Sequence, residues 1–197
     1  MNMITTCKLI DYEMYFIHIP KNGGTSFQKQ FIKNDVGHYN ITKLPENIWH
    51  KTIAIIRNPF TRLISLYNYS KMKKSYWHSI DKSTKYGTHD LFTYCNNNTF
   101  TDFIKDISIN KELFNHIHIR PQYTWIITPN GDIVSKIIKL ENVDEELSNL
   151  LKINVKLMKI NESTDNKYRN YFNEETEEIV RNLYRKDFEL FGPFELP

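Results

Sequence analysis

Cysteine is scarce in this chain, and its scarcity excludes a fold held together by disulfide bonds. Cys7 and Cys95 are the only cysteines among 197 residues. Two thiols so far apart in sequence provide neither a disulfide framework nor the paired spacing of a zinc site. We therefore expect two free thiols. The sequence also shows no cluster of residues with the spacing of metal ligands, so no bound metal is expected.

A strong excess of charge of one sign is absent as well. The chain carries 26 basic and 23 acidic residues, which gives a formal net charge of +3. This balance implies no polyanionic partner for the chain as a whole, so nucleic acid is not expected as a partner. Any basic surface must be local.

Long apolar runs are missing at the N-terminus, where MNMITTCK is too polar for a signal peptide or a membrane anchor. We therefore expect a cytoplasmic or otherwise soluble protein without a membrane segment. The composition, with 40% hydrophobic and 14% aromatic residues, is typical of a globular protein. The length favours one domain over residues 1–197.

The common nucleotide-binding motifs are also absent. Neither Gly-x-x-x-x-Gly-Lys-Ser/Thr nor Gly-x-Gly-x-x-Gly occurs in the chain. Their absence argues against an ordinary ATP or NAD enzyme. A small kinase with a P-loop-like site is further discouraged, because no obvious magnesium-binding carboxylate follows a predicted strand.

A first informative segment is YFIHIPKNGGTS, residues 15–26. It runs from a buried strand through a polar turn into a helix. Gly23 and Gly24 allow the backbone to approach an anion closely, and the helix that begins at Thr25–Ser26 presents unpaired N–H groups and a positive dipole end. Lys21 adds an ammonium group at the turn. The segment therefore predicts an anion-binding loop.

A second segment, IAIIRNPFTRLISLY at residues 53–67, has a related organisation. Arg57 ends an apolar strand, and Asn58 and Pro59 are typical of a helix start. Apolar residues then follow with the spacing of one helical face at Phe60, Leu63, Ile64 and Tyr67. Arg57 and Ser65 are candidates for joint binding of a second phosphate.

Two strand–turn–helix units in succession predict an α/β fold. We expect a central parallel sheet flanked by helices, in a P-loop-like three-layer arrangement. Residues 70–98 lack clear periodicity and are predicted to be an exposed loop that recognises the acceptor. A hairpin is predicted around residues 129–132, between strand-like runs at 123–128 and 133–140. A last helix is predicted to begin near Asn173.

The two segments together resemble the nucleotide-binding signature of sulfotransferases, which use 3′-phosphoadenosine-5′-phosphosulfate (PAPS). The sequence PKNGGTS at residues 20–26 is similar to the 5′-phosphosulfate loop of carbohydrate sulfotransferases, with Asn22 in place of their Thr. The pair of Arg57 and Ser65, eight positions apart, resembles the family's 3′-phosphate element. The resemblance implies that PAPS is bound by Lys21, Asn22, Gly23, Gly24, Thr25, Ser26, Arg57 and Ser65.

Three further stretches resemble the Golgi-type branch of the family, which sulfates heparan, chondroitin and dermatan. They are HIRPQ at residues 118–122, LEN at 140–142 and YRKDFELFG at 184–192. This branch implies a glycan as the acceptor, with His118 and Arg120 as candidate acceptor-binding residues. A small alcohol, a lipid or a peptide tyrosine is the alternative acceptor. A module that binds the nucleotide or a glycan without turnover is the alternative class.

Sulfuryl transfer requires a cation at the leaving phosphate and a base at the acceptor hydroxyl. Lys21 is predicted to supply the cation. His38 is predicted to be the base, because its place after the first helix resembles that of the base histidine in several branches of the family. His118 is the rival base. His18 lies within a predicted strand and is interpreted as structural, and the remaining histidines show no pattern that supports a role.

Overall fold

The structure is a computed structural model that describes residues 7–32, 37–84, 87–158 and 168–197. In chain order, its strands and α-helices are β1 (Tyr15–Ile17), α1 (Gly24–Phe31), β2 (Thr52–Ile56), α2 (Pro59–Ser70), α3 (Asp90–Asn97), α4 (Phe100–Ile109), α5 (Lys111–Phe114), β3 (Lys136–Lys139), α6 (Val143–Leu151), α7 (Glu174–Leu183) and α8 (Arg185–Phe191). Short 3₁₀ helices lie at Ile41–Lys43, Glu46–Lys51, Gln122–Trp125, Leu140–Asn142 and Tyr168–Tyr171.

The described residues form two compact units. The first takes those within Met1–Asn58, Pro121–Glu162 and Glu189–Gly192. The second takes those within Pro59–Arg120, Ser163–Phe188 and Pro193–Pro197. The expectation of a single domain stays a prediction.

The first unit contains a parallel sheet with the strand order β1-β2-β3. The central strand β2, TIAII, is buried at every position. A strand covered on both faces favours β-branched apolar residues without alternation, which is why its bounds are readable from the sequence. The predicted α/β fold with a parallel sheet flanked by helices is confirmed.

The predicted hairpin is wrong in its pairing. A turn does form at residues 128–132, where the Thr128 N–H donates to the Asp132 carbonyl at 2.8 Å and Gly131 has a φ of 90°. Its two arms meet only in an isolated bridge between Ile127 and Ile133. Gln122–Trp125 is a 3₁₀ helix, and β3 instead pairs parallel with β2. The turn depends only on residues that are neighbours in sequence. The pairing of β3 depends instead on the open side of β2, which is distant in sequence.

The second unit is helical, and its core follows the predicted face of α2. Phe60, Leu63, Ile64 and Tyr67 are buried, and they share one cluster with residues of α4 and α7 that include Phe103, Ile104, Ile107 and Val180. The last helix begins after Asn173 as predicted, since the Asn173 side chain accepts the Thr176 N–H in a capping box.

The prediction of a continuous loop over residues 70–98 is wrong at its C-terminal end. Residues Asp90–Asn97 form α3, which buries only Leu91 and Cys95. One apolar pair at i and i+4 is too short a pattern to predict a helix, and the tertiary packing of those two side chains decides it. None of the helices in the described part of the chain combines the length and the apolar character needed to cross a bilayer.

Candidate functional site

The candidate site of the first unit lies at the carboxyl ends of the three strands. Because β1, β2 and β3 are parallel, the segments that follow Ile17, Ile56 and Lys139 leave the sheet at the same edge. Open α/β sheets bind their ligands outside this carboxyl edge. Both predicted phosphate-binding segments, after β1 and after β2, begin there.

The loop between β1 and α1 has two residues in the left-handed region, Lys21 with a φ of 68° and Gly23 with a φ of 76°. The Gly23 carbonyl accepts the N–H groups of Ser26 at 3.0 Å and Phe27 at 3.2 Å, which begins α1. A Cβ at position 23 would lie 2.7 Å from Cδ1 of Leu140. Glycine is therefore required here both by conformation and by space.

The α1 helix starts at Gly24, directly after this loop. Its first N–H groups have no carbonyl partner within the helix and carry the positive end of the helix dipole. Thr25 is exposed and Ser26 is buried. This geometry suits an anion such as phosphate or sulfate.

Arg57 connects the two predicted phosphate-binding segments. Its Nη1 donates to the Lys21 carbonyl at 3.2 Å, across the adjacent ends of β1 and β2. A guanidinium has five N–H donors, so the group that supports the loop can also bind an anion. The two motifs, 36 positions apart in sequence, are in direct contact.

Asn22 and Gln122 form a buried amide network beneath the loop. Asn22 Nδ2 donates to the Ile55 carbonyl at 2.8 Å and to Gln122 Oε1 at 2.7 Å. The Asn22 side chain thus binds the end of β2, and a role in nucleotide binding would fall to its backbone. Glu141, which follows β3, accepts the Asn58 N–H at 2.8 Å, so all three strand ends are joined by hydrogen bonds.

The rings of His38 and His18 pack against each other in the same unit, with ring centroids 4.3 Å apart and an interplanar angle of 54°. His38 Nδ1 lies 2.8 Å from the His18 carbonyl oxygen. The His38 ring also packs edge-on with Trp125, with ring centroids 6.1 Å apart. His18 in turn packs on the loop, because a Cβ at Gly24 would lie 2.1 Å from its Cδ2. The predicted base is therefore linked through His18 to the start of α1.

The remaining predicted site residues lie in the second unit. Ser65 is half-buried in α2. The ring of His118 is buried against Trp77, with centroids 4.2 Å apart, and Arg120 is half-buried. Burial lowers the pKa of Arg120 below the ordinary arginine value.

Arg62 fixes the backbone around His118. Its side chain is only 1% exposed, and its guanidinium donates to the carbonyls of His118, Ile119 and Arg120 at 3.2, 3.3 and 3.1 Å. The helical pattern places Arg62 off the apolar face, so the sequence gives no signal for its burial. Buried guanidinium groups need such carbonyl partners, since desolvation of the charge is otherwise costly.

Sequence reasoning assigned no role in the site to Gln122, and it interpreted His18 only as a structural residue. Gln122 lies in the HIRPQ stretch, whose resemblance is the only signal that marks it. His18 gives no signal beyond its position close before the loop. The remaining assignments, from Lys21 to Arg120, stay predictions about binding and catalysis.

Comparison with known proteins agrees with this arrangement. A family model described as the sulfotransferase family matches residues 7–195. The match spans nearly the whole chain, so the chain belongs to the sulfotransferase family. No curated protein and no solved structure gives a significant match.

Proposed function

We propose that this sulfotransferase uses PAPS as its donor and transfers the sulfuryl group to a carbohydrate hydroxyl, with His38 as the base. The observation that carries the proposal is the contact between Arg57 and the Lys21 carbonyl, at 3.2 Å. It joins a 5′-phosphosulfate loop to the arginine expected at the 3′-phosphate. PAPS carries both groups, whereas AMP and ATP lack the 3′-phosphate.

The proposed chemistry is an in-line displacement at sulfur. The acceptor oxygen forms a bond to sulfur while the bond from sulfur to the bridging phosphate oxygen breaks, and 3′-phosphoadenosine 5′-phosphate leaves with the electron pair. The Lys21 ammonium stabilises the negative charge that develops on that oxygen. The first N–H groups of α1 orient the phosphate beside it.

His38 is suited to accept the proton of the acceptor hydroxyl. A backbone carbonyl can only accept a hydrogen bond, so the 2.8 Å contact with the His18 carbonyl assigns the proton to Nδ1 of His38. Nε2 then carries the lone pair that a general base requires. The His18 carbonyl would thus set the tautomer of this proposed base, and the packing of His18 against Gly24 would support its position.

Arg57 and Ser65 are proposed to bind the 3′-phosphate together. A guanidinium fork and a hydroxyl left without that phosphate would cost free energy, so the pair would discriminate PAPS from nucleotides that lack it. This assignment rests on the sulfotransferase membership and on the position of Arg57 at the carboxyl end of β2.

The carbohydrate acceptor is supported by the resemblance of residues 118–122 to the Golgi-type enzymes. His118 and Arg120 are proposed to contact this acceptor, and no metal is required for the transfer itself. A small alcohol, a lipid or a peptide tyrosine is the alternative acceptor. A binding module without turnover is the alternative to an enzyme, and it is disfavoured by the presence of both Lys21 and His38.

The test is transfer from sulfur-labelled PAPS to a panel of glycans, small alcohols, lipids and tyrosine peptides. We expect His38→Ala to lower transfer by roughly 10²–10⁴-fold, the range for loss of a general base, with little change in affinity for 3′-phosphoadenosine 5′-phosphate. Lys21→Ala should likewise lower turnover more than it lowers affinity for this product.

His118→Ala is the matched comparison for the base. A large loss in His118→Ala with near-normal transfer in His38→Ala would move the base to His118. Nucleotide binding without transfer to any member of the panel would favour a non-catalytic module. Labelling of the alcohols, lipids or peptides alone would reject the carbohydrate acceptor while leaving the enzyme class intact.

A further inference from the structure

Three histidines that are distant in sequence come together in the second unit. His89 precedes α3, and His116 and His118 follow α5. Each offers one ring nitrogen, and the three nitrogens lie within 4.8 Å of one another. The separation of 27 positions between His89 and His116 hides this cluster from any search for a short metal-binding motif.

A carboxylate is hydrogen-bonded to one of these rings and lies near a second. Asp90 Oδ1 lies 2.7 Å from Nδ1 of His89, and Oδ2 lies 3.7 Å from Nε2 of His116. A nitrogen and a carboxylate oxygen at 2.7 Å require a proton between them, so Nδ1 of His89 is the donor and its Nε2 keeps a lone pair. The Leu91 N–H, 2.8 Å from Oδ1 and 3.2 Å from Nδ1, then has the carboxylate as its nearer acceptor.

The lone pair of His116 accepts a long hydrogen bond, which a bound ion would replace. Nδ1 of His116 accepts the backbone N–H of His118 at 3.3 Å, so its proton lies on Nε2, which is turned toward Asp90. A carboxylate that receives the outer N–H of a histidine is the usual support of a metal-binding imidazole, because it fixes the ring and raises the basicity of the inner nitrogen. Asp90 does this for His89, and its other carboxylate oxygen lies 3.7 Å from Nε2 of His116.

An apolar wall covers one side of the cluster. The Trp77 indole stacks on His89, with ring centroids 4.6 Å apart and an interplanar angle of 24°, and it also packs on His118. His118 is buried, and His89 and His116 are half-buried. Such a wall limits competition by water for a bound ion.

We propose that His89, His116 and His118 form a Zn²⁺ site in the second unit. Imidazole nitrogens suit zinc, and three histidines with an open fourth position are a common zinc ligand set. Zn–N bonds of about 2.0–2.1 Å place tetrahedral ligands about 3.4 Å apart, so ring shifts of roughly 1 Å close the observed cluster around the ion.

Zinc at this site would cross-link the segment before α3 to the segment after α5. An ion that binds the folded state and not the unfolded chain stabilises the fold by its binding free energy. The site does not depend on the proposed sulfuryl transfer. A bound ion would occupy a nitrogen of His118, which would further favour His38 as the base.

The test is calorimetric titration of the full chain with ZnCl₂, after removal of any affinity tag and treatment with a chelator. We expect one Zn²⁺ per chain and a higher melting temperature with zinc. His89→Ala and His116→Ala should each weaken binding at least tenfold. His50→Ala is the matched control, because His50 is an exposed histidine of the first unit, and this variant should bind like the wild type.

Trp77 provides a second readout that needs no histidine variant. Because its ring stacks on His89, Cu²⁺ bound at the same site should quench its fluorescence, and excess Zn²⁺ should restore the signal. Trp77→Phe should remove most of the quenching. The proposal is overturned by absence of stoichiometric zinc binding to the wild type, by wild-type binding in both folded alanine variants, or by quenching that persists in Trp77→Phe.

Discussion

Gln122 is hydrogen-bonded to both backbone polar groups of Arg57. Its Oε1 accepts the Arg57 N–H at 2.8 Å, and its Nε2 donates to the Arg57 carbonyl at 2.8 Å. The same Oε1 accepts from Nδ2 of Asn22 at 2.7 Å. One fully buried amide therefore fixes the arginine that follows β2 and the loop that follows β1.

Replacing Gln122 should loosen both segments at once. In Gln122→Ala, the Arg57 backbone and the Asn22 amide lose a buried partner, and we expect the free energy of unfolding to fall by about 1–3 kcal/mol. Affinity for 3′-phosphoadenosine 5′-phosphate should fall as well, because Arg57 is no longer held in place. Urea denaturation and calorimetry measure the two effects.

Gln30→Ala is the matched control for this substitution. Gln30 lies on α1 and makes one long hydrogen bond, 3.4 Å, to the Lys156 carbonyl. We expect its free energy of unfolding to stay within about 0.5 kcal/mol of the wild type. A Gln122→Ala protein as stable as Gln30→Ala would mean that the amide network contributes nothing to the site.

Arg57→Ala should remove the preference for a 3′-phosphate. We expect binding of 3′-phosphoadenosine 5′-phosphate to weaken by about 1.5–3 kcal/mol, the range for hydrogen bonds to charged groups, while binding of AMP changes less. The exposed Arg185 offers an arginine control, since Arg185→Ala removes the same charge elsewhere. Equal affinity of the wild type for the two nucleotides would contradict the assignment of Arg57 and Ser65.

The parts of the fold that follow from local patterns were predictable. The apolar run of β2 and the i, i+3, i+4, i+7 face of α2 each indicate which residues are buried. Both elements form where the sequence predicts them. Strand pairing is different, because the partner of β3 is the free edge of β2 rather than its neighbour in sequence. An alternation of apolar and polar residues beside a turn predicts a strand, but it does not indicate which other strand pairs with it.

The candidate site likewise has parts that could be predicted from the sequence and parts that could not. The loop from Lys21 to Ser26 is a contiguous motif, so its glycines and its helix start could be predicted. The amide of Gln122 acts across 65 positions of sequence, and only the folded chain reveals it. The contact of His18 with Gly24 could not be predicted either, because it depends on the direction that the His18 side chain takes after the end of β1.

Both cysteines should be unreactive in the folded protein. Burial raises the pKa of the Cys7 and Cys95 thiols to about 11 from an ordinary value of 9.0. Since the thiolate is the nucleophile, about one thiol in 1,000 is reactive at pH 8. We expect iodoacetamide at pH 8 to label neither cysteine until urea unfolds the chain, as measured by mass spectrometry. Rapid labelling of the native protein would contradict this.

The same raised pKa values predict a dependence of stability on pH. A thiol that holds its proton more tightly when folded stabilises the fold fully below pH 9 and loses this contribution as the pH rises toward 11. The free energy of unfolding should therefore decline over this interval. Cys7→Ala/Cys95→Ala provides the control, and its decline should be shallower. An equally steep decline in this variant would assign the effect to other groups.

The contact between Gly24 and His18 predicts a substitution that acts from a distance on His38, the proposed base. In Gly24→Ala the new Cβ would lie 2.1 Å from Cδ2 and 2.2 Å from Nε2 of His18, so the ring must move, and His38 packs against that ring. We expect a loss of about 1–3 kcal/mol in the free energy of unfolding, typical of overpacking, together with reduced sulfuryl transfer. A double-mutant cycle with His18→Ala isolates the cause, because removing the ring opens the space that the added methyl group needs. If Gly24→Ala costs as much in the His18→Ala background as in the wild type, the clash with His18 is not the reason for glycine at this position.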